Sequence, residues 1–216
     1  MWFAWLVYRG NGANVKLDPP VPFKVWEDQR GGSPWSPEFK APPVPPGNKW
    51  TYNVKFSAPG TYVMGDVTLG DNVNIWFGTV IRGDDNKIRI GARTNIQDGS
   101  VIHVSSTLQG TDIGDDITIG HMVLLHACTL ESGCFIGMKA CVMDGAVVES
   151  GAMVAAGALV TPGKRVTAGH LWGGAPAKPL RPLRPEERES FAQSARHYAA
   201  LAREYRLARG DGGAAT

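Results

Sequence analysis

The sequence predicts an all-β fold, a parallel β-helix of six-residue repeats with an extended arm before it and one α-helix after it. Three observations predict this. Aliphatic residues recur every six positions from Val63 onward, residues 1–60 hold most of the prolines, and the segment from Pro185 carries an amphipathic helical pattern.

The first element is the arm, residues 1–60. "KLDPPVPF" and "SPWSPEFKAPPVPPGNKW" space Trp26, Trp35 and Trp50 among prolines. Proline removes amide donors and stiffens an extended chain, so the segment suits neither a central strand nor a helix. Proline content alone would suit a disordered tail, but the tryptophans supply apolar area, and the expectation is an arm laid along a surface. The opening "MWFAWLV" is too short for the apolar centre of a signal peptide with its flanks and reads as an anchoring or docking segment.

The second element is the repeat, residues 61–168, and such periods are sought before any helix or strand is assigned. Aliphatics stand at Val63, Leu69, Ile75 and Ile81, at Ile90, Ile96 and Ile102, and at Ile113, Ile119 and Leu125. After a one-residue slip they run from Leu130 and Ile136 to Val166. Glycine follows several of them directly, at positions 70, 91, 114 and 120, where it is expected to permit a tight corner. Small or β-branched residues follow four places on, among them Val73, Thr79, Ser100, Thr129, Cys134 and Ala140. A period of six fits neither a 3.6-residue helix nor a two-residue alternation. It fits a short strand and a turn repeated around a prism, three hexads to a coil, with the aliphatics stacked inside. An antiparallel sandwich would show alternation and hairpin turns instead.

The third element, residues 169–216, is a connector, a helix and a short tail. Pro185 stands near the helix start with acids in the first turn, and Phe191, Ala195, Tyr198, Leu201 and Tyr205 form an apolar stripe. The helix should pack across the coils or on a neighbouring subunit.

Composition narrows the function. A chain of 216 residues suits one domain. A net charge of +2 with scattered Lys and Arg offers no basic stripe, so nucleic acid is not an expected partner. Cys128, Cys134 and Cys141 form no CxxC pair and read as small residues lining a repeat column, not as a disulfide framework or a zinc module. No run reaches the roughly 20 apolar residues of a membrane helix.

Among five histidines, "HMVLLH" places His121 and His126 five apart. That spacing separates side chains by about 140° on a helix and sends them to opposite faces of a strand. Within the repeat, His103 follows Ile102 as His126 follows Leu125, so these two occupy like positions, while His121 lies one place on. His170 and His197 lack such partners and read as structural or surface residues.

The hexads, together with "WFGTVIRGDDNKIRIGARTNIQDGSVIHV", "ITIGHMVLLHACTL" and "LWGGAPAKPLR", closely resemble the gamma-class carbonic anhydrases from about residue 58 to 206. The resemblance implies a left-handed β-helix, a trimer, and zinc, or iron or cobalt, held between subunits. His103 and His126 would come from one subunit and His121 from the next, giving the three-imidazole set of catalytic zinc. Carbon dioxide and bicarbonate would be interconverted by metal-bound hydroxide. By the motif match Gln97 would orient that hydroxide, Asn95 would contact bicarbonate or water, and Asp98 would lie close by. Arg82 and Asp84 match an ion pair across the subunit interface, which would fix that interface whether or not chemistry occurs.

Two departures bear on turnover. Asp85 stands where the archetypal enzymes carry glutamate, and "VSSTLQGTDIG" after His103 lacks their acidic loop with its proton shuttle. Metal binding is therefore the firmer expectation. The alternative implied by the resemblance is a subunit of a homotrimer, or of a heterotrimer with paralogues, on the matrix side of the membrane arm of mitochondrial respiratory complex I. The Trp- and Pro-rich arm favours it, because such a segment adds buried area to an assembly. The bacterial cytoplasm is the other location the resemblance allows. Acyl or CoA transferases share the repeat, but the three histidines and the "RGD" and "IQDG" context argue against that class.

Overall fold

A computed structural model describes residues 56–208. They form a parallel β-solenoid of about six turns followed by one α-helix. The N-terminal arm up to residue 55, with its tryptophans, and residues 209–216 lie outside the described residues.

One face of the prism is a sheet ordered β1 (Phe56–Ser57), β3 (Asn74–Ile75), β5 (Asn95–Ile96), β8 (Thr118–Ile119), β11 (Phe135–Ile136), β14 (Met153–Val154), β17 (His170–Gly173) and β18 (Lys178–Pro182). Its pairs are parallel except β17 with β18, which closes the end as an antiparallel hairpin. The sequence boundary fell at residue 61, but β1 already pairs with β3 and joins the ladder.

The other two faces form one continuous sheet, because β4 (Val80–Ile90) is long enough to turn a corner. Its first residues pair with β6 (Val101–His103) and its last with β7 (Thr111–Ile113). From β6 the ladder runs through β9 (Leu124–His126) and β12 (Cys141–Val142) to β15 (Leu159–Val160). From β7 it runs through β10 (Thr129–Leu130) and β13 (Val147–Val148) to β16 (Arg165–Val166), while β2 (Tyr62–Leu69) covers β4 on both faces.

Register gives the coil its length. Ile136 pairs with Val154, Val142 with Val160 and Val148 with Val166, so one coil is 18 residues. Earlier coils depart from this where the hexads are interrupted. Ile96 pairs with Ile119, 23 positions on, because the loop at Ser105–Gln109 is inserted; Ile119 pairs with Ile136, 17 on, because of the slip. The predicted aliphatics all stack inside, with Val63 in the first coil partly buried against the column and Trp172 in the last ring. Each fully buried aliphatic contributes about 1.5–3 kcal/mol.

Three details differ from the sequence reading, each for a local reason. At the slip, Ala127 takes a left-handed φ of 46°, so Cys128 turns inward and fills the column where Thr129 was expected. Cys128 and Cys134 are fully buried as predicted, but Cys141 faces outward on β12 between Leu124 and Leu159. Glycine directly after an aliphatic serves close stacking instead of a corner dihedral: a Cβ on Gly114 would lie 2.6 Å from the Ser132 amide nitrogen of the next coil. The left-handed corner residue is the third after the aliphatic, as at Gly99 (φ 69°) and Met122 (φ 57°).

Helix α1 (Pro185–Ala208) lies across its own coils, over β1, β3, β5 and β8. Phe191 stacks on Phe135 with ring centroids 5.1 Å apart, and Tyr198 and Tyr205 meet Trp76 edge-on at 5.5 and 5.4 Å. Its start is tied to β18. Arg181 donates to both oxygens of Glu187 at 2.7 Å, and Glu187 also accepts from the Arg184 amide at 2.9 Å, as the third helical residue does in a capping box. These donors, Arg181 first, hold the Glu187 carboxyl far below the usual carboxylate range. A depressed carboxyl stabilises above its unfolded pKa and loses that contribution only as pH falls through its folded value. Glu187→Gln should therefore speed hydrogen exchange in the first turn of α1 at neutral pH, while the native chain should keep its protection until strongly acidic conditions. Equal exchange at neutral pH would show that packing alone holds the helix start.

Candidate metal centre in two halves

Two imidazoles meet on neighbouring coils. β6 and β9 pair in register with His103 beside His126, which brings the ring centroids to 5.2 Å. Both side chains stand at strand ends, just past an inward aliphatic, so the six-residue repeat aims them alike. His103 Nε2 lies 3.0 Å from Asp84 Oδ1, and the other oxygen of Asp84 accepts from the Arg82 guanidinium. Burial works to raise the Asp84 carboxyl, but the bonds from His103 and Arg82 prevail and hold it below its ordinary value. Burial, aided by Arg82, also keeps His103 below the ordinary imidazole value despite Asp84. A neutral imidazole is the form a metal needs.

Arg82 and Asp84, the pair the resemblance set at a subunit interface, are bonded to each other within the chain. His126 uses its other nitrogen: Nδ1 lies 3.1 Å from Asp144 Oδ2. Asp85 is exposed and has no hydrogen-bond or ion-pair partner among the described residues.

The second half stands at the corner before β9. His121 Nδ1 is 2.8 Å from Asp98 Oδ2. Gln97, beside Asp98, is buried, and its Nε2 donates to Asn95 Oδ1 at 3.1 Å. Asn95 is fully enclosed beneath α1; its Nδ2 donates to Thr118 Oγ1 at 2.8 Å and reaches the Ile117 carbonyl oxygen at 3.3 Å, and the Thr118 hydroxyl in turn donates to Ser194 Oγ at 2.9 Å. The Ile117 carbonyl can only accept, so the chain of bonds has one direction. Asn95 must present its oxygen to Gln97, which donates through Nε2 and keeps Oε1 as an acceptor outside this chain of bonds. Asn95 thus reaches no solvent in this chain, and its contact within the site is with Gln97. Burial first, and the Asp98 charge second, push the Tyr198 hydroxyl of α1 up.

The structure brings His103 and His126 together but does not bring His121 to them. Among the described residues, no group of three His, Cys, Asp or Glu side chains in one chain could hold a metal ion. Between the halves lies the outer surface of β4, β6, β9, β12 and β15, where Val80, Val101, Leu124, Cys141 and Leu159 align in register. Val101 and Leu124 are more than a third exposed. One residue beside the candidate site escaped the sequence reading, Asp144. Asp144 stands 18 positions after His126, one more than the 17-residue register of β9 with β12, so no constant spacing marked it in the sequence.

No family model matches the chain. Over 152 residues, 68% of its length, it is 50% identical to a protein of Arabidopsis thaliana named gamma carbonic anhydrase 1, mitochondrial, and spans 55% of that protein. Over 144 residues, 67% of its length, it is 45% identical to a probable carbonic anhydrase of Methanocaldococcus jannaschii, of which it covers 90%. A solved hexapeptide transferase family protein from Anaplasma phagocytophilum superposes with a TM-score of 0.63 at 47% identity, over 69% of this chain and 92% of that one.

Proposed function

Because the chain belongs to the gamma carbonic anhydrase family, we propose that it is a trimeric metalloprotein interconverting carbon dioxide and bicarbonate at sites shared between subunits. The observation that carries this reading is the division of the site. The two halves flank an apolar sheet face, and a head-to-tail contact through that face would set His121 of one subunit against His103 and His126 of another. Heterologous contacts of this kind close into a ring when the rotation permits.

The donor set fits a metal ion. His121 and His126 each engage a carboxylate through Nδ1, which leaves Nε2 for a ligand, and burial favours the neutral form of His103. Zinc, or iron or cobalt, bound there would supply a hydroxide nucleophile at neutral pH. Gln97 would present Oε1 as an acceptor to orient that group. Arg82 and Asp84 would hold His103 in place, and the apolar face would keep bulk water from the junction.

The test is stopped-flow hydration of carbon dioxide on metal-quantified protein, with His121→Ala as the blank. Turnover above the blank, falling with Gln97→Ala by about 10- to 100-fold, is the expected result. A second reading is a structural subunit on the matrix side of the membrane arm of mitochondrial respiratory complex I. It is favoured by the Ser105–Gln109 loop, which closes on itself through a Ser105 to Gln109 backbone bond and carries no carboxylate to shuttle protons. The mitochondrial name of the Arabidopsis relative points the same way. Stoichiometric metal without turnover would select it.

A further inference from the structure

We infer that Asp144 is a positioning residue of the metal centre, whose carboxylate fixes His126 in the tautomer and orientation that present Nε2 to the ion. The inference rests on the three-histidine site proposed above. An ionised carboxylate can only accept, so the 3.1 Å contact from Asp144 Oδ2 to His126 Nδ1 places the ring proton on Nδ1 and the lone pair on Nε2. A carboxylate on the far nitrogen also makes an imidazole a better metal ligand.

The solenoid wall, and no flexible loop, sets the position of Asp144. The amide of Gly145 donates to the Ala127 carbonyl at 2.7 Å on the preceding coil, and the Asp144 carbonyl accepts from Gly163 at 2.8 Å on the next. Both side chains of the pair are largely covered, with 22% of Asp144 and 29% of His126 exposed. Charge separates Asp144 from Asp84. Asp84 shares its charge with Arg82, whereas among the described residues no Lys or Arg nitrogen comes within 4.0 Å of Asp144. The negative charge of Asp144 therefore acts on the imidazole and on whatever cation the imidazole binds. His121 and Asp98 repeat the arrangement through the same ring nitrogen at 2.8 Å.

The experiment is cobalt(II) titration of the purified protein and of Asp144→Ala, Asp144→Asn and His126→Ala, followed by the visible absorption of the bound ion. Nitrogen NMR of the metal-free imidazoles and metal-free melting temperatures are recorded alongside. Asp144→Ala should bind cobalt about 10- to 100-fold more weakly, with the Nδ1-protonated form of His126 depleted and metal-free melting unchanged. Asp144→Asn keeps an acceptor at nearly the same place and should fall between; it carries the test alone if the alanine variant fails to fold. Cobalt affinity equal to that of the native protein in every folded Asp144 variant, with His126→Ala binding none, would overturn the role of Asp144 and leave the site intact. Equal binding by His126→Ala and the native protein would overturn the three-histidine site itself.

Discussion

His121→Ala should yield a folded, assembled protein that binds no metal at the junction. The side chain is part-exposed at a corner and touches Asp98, so its removal leaves the aliphatic column untouched. One of the three proposed ligands would be lost, and the fall in affinity should exceed the about 10- to 100-fold expected when a ligand's partner is removed. Metal content and sedimentation of the same sample check both halves of the expectation. Mixing sharpens it. His121→Ala and His103→Ala, each without metal alone, should regain it when co-expressed, since a mixed ring holds a junction at which every ligand is intact. No recovery in mixed rings would mean that the two halves do not serve one ion.

Gly65→Ala should be the most damaging small change in the coil. Gly65 has a φ of 87° and pairs with Gly83 at the irregularity between β2 and β4. A Cβ there would lie 2.0 Å from the Gly83 carbonyl oxygen and 2.7 Å from the Asp84 amide nitrogen, both of them backbone and unable to swing aside. Backbone strain and overpacking cost about 1–3 kcal/mol each. Because Gly83 lies between Arg82 and Asp84, relief of the clash would move the carboxylate that holds His103. Denaturant unfolding of the metal-free protein should show a loss of about 3–5 kcal/mol, and metal affinity should fall with it. Gly133→Ala is the control: its φ is 71° but a Cβ meets nothing within 4 Å, so about 1–2 kcal/mol is expected. Equal losses in the two variants would show that the dihedral matters and the close approach to Gly83 does not.

The hexads made the fold legible because one residue in six must face the axis, and sequence records that choice directly. Ile119 and Ile136 could be assigned inward without coordinates. The slip after Leu125 could be located but not resolved, since whether Cys128 or Thr129 turns inward depends on the left-handed Ala127. Outward residues were harder. Cys141 looked like one more small residue of the column, yet it belongs to the apolar outer face. Tyr198 looked like one more apolar position of a helix, and it meets Trp76 edge-on.

By itself the sequence determined the repeat, the inward column, the helix with its acidic first turn, and the kinship of His103 with His126, all of which follow from periodicity along the chain. Only the tertiary structure decided which side chains become neighbours across coils: Asp84 with His103, Asp98 with His121, Asp144 with His126, and Asn95 beneath α1. The reason is that a coil's length sets those pairings. The loop at Ser105–Gln109 and the slip change that length from 18 to 23 or 17 residues, so partners one coil apart carry no constant spacing in the sequence.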